Sequence, residues 1–106
     1  MPRRTEADPL ATQIGARIRQ LREELGLTQE KLAYEAGLKS KGHLSGIEKG
    51  LVVPTLATLV LIAERVNVEL VDLVTFPSSS ERHVLVDLTR SMKVGTLRRI
   101  VREARG

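Results

Sequence analysis

Residues 28 to 50 carry two helix-capping residues and four glycines, and the spacing of the caps and of two of these glycines is the strongest constraint on how this chain folds. Thr28 and Ser40 suit helix N-termini, because their hydroxyl oxygens accept hydrogen bonds from backbone amides that the first turn leaves free. Gly37 and Gly50 stand where the helices that follow these caps should end. The segment therefore predicts two short helices joined by a tight turn.

A further helix is predicted before this pair. Ile14, Ile18, Leu21 and Leu25 are separated by four, three and four positions, which places them on one face of a helix. Gly26 follows as a stop signal. The chain thus approaches the two short helices from a helix that has its own apolar face.

A fourth helix is predicted to begin at Thr55, which follows a proline and can cap it. Apolar residues cover more than half of its circumference, so we expect it to be the most buried element. These residues are Leu56, Leu59, Val60, Ile62 and Ala63. Beyond Asn67, residues 69–74 fit one or two more helical turns, whereas residues 66–70 alternate like a strand. Periodicity alone leaves both interpretations open.

The composition divides the chain into four parts. Residues 1–11 hold prolines and mixed charges and are expected to form a flexible basic arm. Residues 12–75 form the helical domain, and the Phe-Pro-Ser-Ser-Ser sequence of residues 76–80 is a linker. Residues 81–106 contain two more amphipathic stretches, the first capped by Ser80. Their apolar faces consist of Val84, Leu85, Leu88, Met92, Leu97, Ile100 and Val101.

Composition excludes several classes of function. The chain has no cysteine and two histidines 40 positions apart, so we expect no metal site. Its longest apolar stretch is far shorter than the roughly 20 residues that span a bilayer, and we expect a soluble, cytoplasmic protein. No Ser-His-Asp arrangement or glycine-rich phosphate loop can be placed, so we expect neither catalysis nor a cofactor. The net charge of +4 is compatible with a polyanionic partner.

Five pieces of the sequence, in this order, resemble the phage repressor and Cro family, the XRE-type helix-turn-helix regulators. They are Ile-Gly-Ala-Arg-Ile-Arg-Gln-Leu-Arg, Gly-Leu-Thr-Gln-Glu-Lys-Leu-Ala, Ala-Gly-Leu, Leu-Ser-Gly-Ile-Glu-Lys-Gly and Pro-Thr-Leu-Ala-Thr-Leu. The resemblance covers residues 14 to about 73. It implies an all-α fold, a five-helix repressor-like domain followed here by a C-terminal helical extension. It also implies that the chain binds double-stranded operator DNA and regulates transcription.

The resemblance implies roles for individual positions. Gln29 and Lys49 correspond to phosphate contacts, and Arg22 and Glu48 correspond to a structural ion pair between the first and third helices. The base-reading positions of the family fall on the third helix, at Lys41, Gly42, Ser45 and Gly46. Two of these are glycines, and the turn before the helix is one residue longer than in many members. We therefore expect the base contacts to be shared by Lys39, Ser40, Lys41, His43 and Ser45.

The terminal segments allow two interpretations each. Arg3 and Arg4 either touch DNA as a basic arm or remain solvated. The two C-terminal stretches either pair with a second copy or bind another protein. Because one recognition helix buries too little surface to select a site, we expect a homodimer on a palindromic operator. The alternative is an antitoxin-like or adaptor protein whose C-terminal helices bind a protein partner.

Overall fold

The computed structural model describes residues 6–106, and every regular element in that part of the chain is a helix. The helices are α1 (Pro9–Glu24), α2 (Gln29–Glu35), α3 (Lys41–Glu48), α4 (Leu56–Arg65), α5 (Leu70–Leu73), α6 (Glu81–Thr89) and α7 (Val94–Arg105). The all-α fold predicted from the sequence is confirmed. The chain divides into two compact units, the first ending at Val74 and the second beginning at Thr75.

Helix α1 begins earlier than the sequence pattern predicts. Asp8 caps it, since its side-chain Oδ1 accepts from the backbone amide of Ala11 at 3.0 Å. The amide of Asp8 also donates to the carbonyl oxygen of Gly50 at 3.2 Å, a contact between residues far apart in sequence. Residues 9–11 are therefore helical, and the arm that we predicted over residues 1–11 is too long.

The core of the first unit lies where its five helices meet. Helix α1 packs against α3 and α5, α2 packs against α3 and α4, and α4 packs against α5. The fully buried side chains are Ile18, Leu32, Leu44, Ile47, Ile62 and Leu73. Helices α1 to α5 each contribute at least one of them, so the short helices α2 and α3 are held by packing rather than by their own stability.

One glycine allows α1 to approach α3 closely. A β carbon added at Gly15 would overlap the carbonyl oxygen of Ile47 and lie 2.6 Å from the carbonyl oxygen of Glu48. Only a residue without a side chain fits there. The C-terminal end of α3 therefore lies directly on the backbone of α1.

Helix α4 is less buried than we predicted. Leu59, Ile62 and Ala63 are buried, but Leu56 is 66% and Val60 38% exposed. Within the first unit, α4 packs mainly against α2 and α5, which cover only part of its circumference. The expectation that α4 is the most buried element was wrong, because an apolar pattern shows which faces are apolar and not how many neighbours a helix has.

The segment after α4 is helical. Asn67 ends α4 in the left-handed region, with φ at 58°. Residues 70–73 then form α5, and the side chain of Asp72 accepts from the backbone amide of Glu69 at 2.9 Å. The strand interpretation of residues 66–70 was wrong, and the side chain–backbone bond at the start of α5 explains why.

The second unit consists of α6, α7 and the segment that precedes them. The Oγ of Ser80 accepts from the amide of His83 and caps α6 as predicted. The amide of Phe76 donates to His83 Nδ1 at 2.7 Å, and the two rings stack with centroids 5.8 Å apart. Neither α6 nor α7 contains a buried residue.

Candidate nucleic-acid interface

Helix α3 is oriented by its apolar residues and by its cap. Leu44 and Ile47 are fully buried and attach one face of the helix to the core. The Oγ of Ser40 accepts from the amide of His43 at 3.1 Å, so the helix begins at Lys41. The turn from α2 comprises residues 36–40. The face of α3 opposite Leu44 and Ile47 is thereby presented to solvent.

Two glycines of α3 have different environments. Gly42 is exposed, and a β carbon added there would meet only Ser40 Oγ, at 3.6 Å. Gly46 is buried, and its carbonyl oxygen accepts from the amides of Leu51 and Val52 at 2.9 and 3.1 Å. These bonds cap the C-terminal end of α3. Because Gly46 is buried, it presents no exposed surface at the base-reading position that the family resemblance implies for it.

The exposed face of α3 forms one wall of an open groove of about 540 Å³, and α1 and α2 form the remainder. Lys41 and Ser45 are four positions apart and lie on one face of α3, and Lys49, the residue that follows the helix, continues this spacing. Gln29 faces them from the first residue of α2. The complete lining consists of Arg19, Arg22, Thr28, Gln29, Glu30, Lys41, Ser45 and Lys49.

Arg22, Glu48 and Gln29 form a hydrogen-bonded network at the base of this groove. Arg22 donates from Nε and Nη2 to the two carboxylate oxygens of Glu48, at 2.8 and 3.1 Å. It also donates from Nη1 to the carbonyl oxygen of Leu27 at 2.6 Å. Gln29 Nε2 donates to Glu48 Oε1 at 2.9 Å. The network links α1, α2 and α3, and it fixes the side chain of Gln29 at the edge of the groove.

The network also determines which charges the groove offers to a ligand. The side chains of Arg22 and Glu48 are 9% and 3% exposed, and each neutralises the other. Lys41 and Lys49 are exposed and, within the part of the chain that the structure describes, neither forms an ion pair. The groove is therefore positively charged along α3, although Glu30 contributes one acidic group to its lining.

The remaining predicted contact residues lie beside the groove. Lys39 and Ser40 are exposed in the turn, Gly42 is exposed in the first turn of α3, and His43 is half-buried. None of the four lines the groove. Arg3 and Arg4, which we considered as a DNA-touching arm, lie outside the described residues.

Three residues line the groove without having been predicted as contact residues: Arg19, Thr28 and Glu30. Thr28 had been predicted only as a helix cap. Arg19 precedes Arg22 by three positions on α1, so the two side chains lie on the same side of the helix. Since Arg22 was already expected to face the end of α3, this spacing was a usable signal for Arg19.

A second ion pair stabilises the first unit away from the groove. Arg65 of α4 donates to both carboxylate oxygens of Glu35 on α2, with Nη2 and Oε1 3.0 Å apart. This hydrogen bonding lowers the pKa of Glu35 and raises the pKa of Arg65. The pair links α2 to α4 on the surface.

Among residues 6–106, no cluster of three or more His, Cys, Asp or Glu residues could hold a metal ion. No helix in the same range is long and apolar enough to cross a membrane.

A capped helix, a five-residue turn and a second helix that exposes cations along one face define a helix-turn-helix DNA-binding protein. The sequence profile of the helix-turn-helix family matches residues 18–73, more than half of the chain. The chain belongs to the XRE-type helix-turn-helix family of transcription regulators, as its sequence motifs predicted.

Similar proteins include an uncharacterised HTH-type transcriptional regulator, y4dJ, of Sinorhizobium fredii. It is 40% identical over 62 residues, which cover 58% of this chain and 79% of that protein. The restriction-modification controller protein C.AhdI of Aeromonas hydrophila superposes with a TM-score of 0.58. The match has 32% identity and covers 59% of this chain and 94% of the controller.

A chain of the SinR/SinI protein complex superposes with a TM-score of 0.61 and 28% identity. This match covers 87% of the present chain and 94% of the SinR/SinI chain. The matched 87% of the present chain is more than the first unit contains, because that unit ends at Val74 and the chain has 106 residues. The similarity therefore extends into the C-terminal helices.

Proposed function

We propose that this regulator binds duplex DNA sequence-specifically, with α3 in the major groove, and that it does so as a homodimer on a palindromic operator. We place this regulator in the cytoplasm and expect it to catalyse no reaction. Its main support is the convergence of Lys41, Ser45, Lys49 and Gln29 on one open groove beside α3.

The chemistry of these four side chains suits the edges and backbone of a duplex. Lys41 stands at the start of α3, where a long cation can reach guanine acceptors or a phosphate. Ser45, one turn later, offers a hydroxyl that donates and accepts. Lys49, just after α3, and Gln29, at the start of α2, suit phosphate oxygens, and contacts to phosphates position a protein without reading sequence.

The first turn of α3 provides the other contacts. Lys39, Ser40 and His43 surround it, and Gly42 leaves its surface open. When the N-terminal part of a recognition helix enters the major groove, residues in this position approach the base edges. We assign Lys39 and His43 to DNA contacts on this basis, and Ser40 both to DNA contact and to its capping bond.

The C-terminal helices support self-association. They expose apolar side chains that a monomer in water would be expected to cover, among them Leu85 at 58%, Leu88 at 61% and Val101 at 46%. A dimer doubles the contacted DNA surface and places its two recognition helices about one turn of the DNA double helix apart. The proposed dimer residues are Val84, Leu85, Leu88, Met92, Leu97, Ile100 and Val101.

One observation favours a second candidate function, in which the C-terminal helices bind a different protein. The SinR/SinI structure is a complex of two proteins, and its similarity to this chain extends beyond the first unit. An antitoxin-like or adaptor role would use the same apolar surface as the homodimer. Solution mass separates the two candidates.

Selection of bound fragments from random duplex DNA tests the DNA-binding proposal. We expect enriched sequences with two inverted half-sites about 10 base pairs apart. Lys41→Ala should weaken binding to the selected duplex and lower its salt dependence. Lys31→Ala is the matched control, because Lys31 is an exposed lysine of the first unit that does not line the groove. Equal affinities for the two variants would remove Lys41 from the contact set.

Light scattering on the purified full chain tests the dimer. We expect a dimer for the unaltered chain and a monomer for the Leu88→Glu/Val101→Glu variant, because a carboxylate opposes burial of the apolar faces. Leu25→Glu is the control, since Leu25 is a 47% exposed leucine of the first unit. A variant that stays dimeric would exclude α6 and α7 as the main interface. A monomeric unaltered chain would favour the protein-partner role.

A further inference from the structure

Arg19 lines the same groove as Lys41 and Lys49, although the sequence motif assigns it no role. It lies on α1, whereas Lys41 belongs to α3, and its side chain is 63% exposed. Its partner is Glu23, one turn further along α1, with Nε and Oε2 3.5 Å apart. This is a long single contact between exposed groups, and such contacts are weak.

Arg22, which lines the same groove, has a structural role and differs from Arg19 in its hydrogen bonds and exposure. Both edges of its guanidinium are used, in three hydrogen bonds of 2.6 to 3.1 Å, and its side chain is 9% exposed. Arg19 has one bond at the limit of hydrogen-bonding distance, so most of its donors remain available. The two arginines are one helical turn apart, but only Arg19 presents an available charge.

We propose that Arg19 is a DNA-contacting residue that binds a backbone phosphate at the α1 side of the groove, and that Glu23 competes with this phosphate for it. This inference rests on the proposed function, since it requires a duplex in the groove. A guanidinium can hold a phosphate with two parallel hydrogen bonds, which its contact with Glu23 does not provide. On binding, the guanidinium exchanges one carboxylate oxygen for two phosphate oxygens.

Through this competition, Glu23 lowers the affinity of the protein for DNA. Its carboxylate is 54% exposed beside the guanidinium and repels a phosphate that approaches the same position. Because the Arg19–Glu23 contact is exposed, breaking it requires little rearrangement of α1. Glu23→Gln therefore leaves Arg19 more available without removing it from the groove.

A double-mutant cycle tests the proposal with Arg19→Gln, Glu23→Gln and the double variant. The probes are the selected duplex and a mixed-sequence duplex of about 30 base pairs, long enough for two half-sites. We expect Arg19→Gln to weaken binding about fivefold per protomer near 150 mM salt, on both probes. The slope of log affinity against log salt should become shallower by about 0.9 per protomer. Lys31→Gln is the control of equal charge change.

Glu23→Gln distinguishes competition for Arg19 from a general effect of net charge on DNA binding. With Arg19 present, we expect it to strengthen binding about two- to fivefold. With Arg19→Gln, the gain should be smaller, because no guanidinium is left to release and only the repulsion between the Glu23 carboxylate and the phosphate is removed. An equal gain in both backgrounds would overturn the competition, since it would come from the removed negative charge alone.

Lys49→Gln distinguishes failure of this inference from failure of the proposed function. If Lys49→Gln lowers the salt slope and Arg19→Gln matches Lys31→Gln, the groove binds DNA but Arg19 does not contact it. If all three variants bind like the unaltered chain, the groove is not the DNA-binding site. Unchanged far-UV circular dichroism in every variant ensures that these comparisons concern folded protein.

Discussion

Replacing Glu48 by glutamine should be among the most destabilising single substitutions in the first unit. The change keeps the shape of the side chain but removes the negative charge that Arg22 faces at 2.8 and 3.1 Å. The two side chains are 3% and 9% exposed, so water cannot replace the lost carboxylate. Arg22 would remain buried with its charge uncompensated, apart from its bond to the carbonyl oxygen of Leu27.

Breaking a buried ion pair by removing one partner typically costs about 3–5 kcal/mol. We expect about 3 kcal/mol here, because the bond to Leu27 remains and the amide oxygen of glutamine still accepts one hydrogen bond. A unit that ends at residue 74 has a stability of roughly 4–11 kcal/mol. The variant should therefore lose a quarter or more of its free energy of unfolding.

Urea unfolding followed by far-UV circular dichroism measures this loss. Glu64→Gln is the control, since Glu64 is exposed on α4, and we expect its effect to stay within about 0.5 kcal/mol. Replacing both Arg22 and Glu48 by methionine should recover part of the stability, because no buried charge is then left alone. A loss below about 1 kcal/mol for Glu48→Gln would refute the reasoning, since it is the value expected of an exposed pair.

Two further outcomes follow from contacts in the first unit. Gly15→Ala should destabilise the protein by about 1–3 kcal/mol or more, because its β carbon would overlap the backbone at Ile47 and Glu48; an unchanged urea midpoint would contradict the close approach of α1 to α3. Arg65 lowers the pKa of Glu35 by hydrogen bonding, so this pair stabilises the fold above about pH 4.5, and the contribution disappears as the pH falls through the lowered pKa. Glu35→Gln should weaken the acid dependence of the urea midpoint, and identical pH profiles would count against the pair.

The helices of the first unit were largely predictable, because the signals that define them are local. Thr28, Ser40 and Thr55 each cap the helix predicted for them, because each side-chain oxygen accepts a hydrogen bond from the backbone amide three residues later. Leu44 and Ile47 are buried as their spacing indicated. Caps and periodicity depend on residues within one or two turns, so they can be read without knowledge of the tertiary fold.

The features that were predicted wrongly have two different causes. The early start of α1 has a local signal that the apolar pattern does not contain, because Asp8 caps the helix and Pro9 is its first residue. The exposure of α4 depends on how many helices pack around it, and no pattern within α4 records that number.

The sequence by itself determined that this chain builds a helix-turn-helix, where helices α2, α3 and α4 begin, and which family it belongs to. Only the tertiary structure decided which charges the groove presents. It neutralises Arg22 with Glu48 across 26 positions of sequence, and it brings Arg19 of α1 into the same groove as Lys41 and Lys49. Local pattern specifies the faces of single helices, whereas the electrostatics of a groove are a property of several helices packed together.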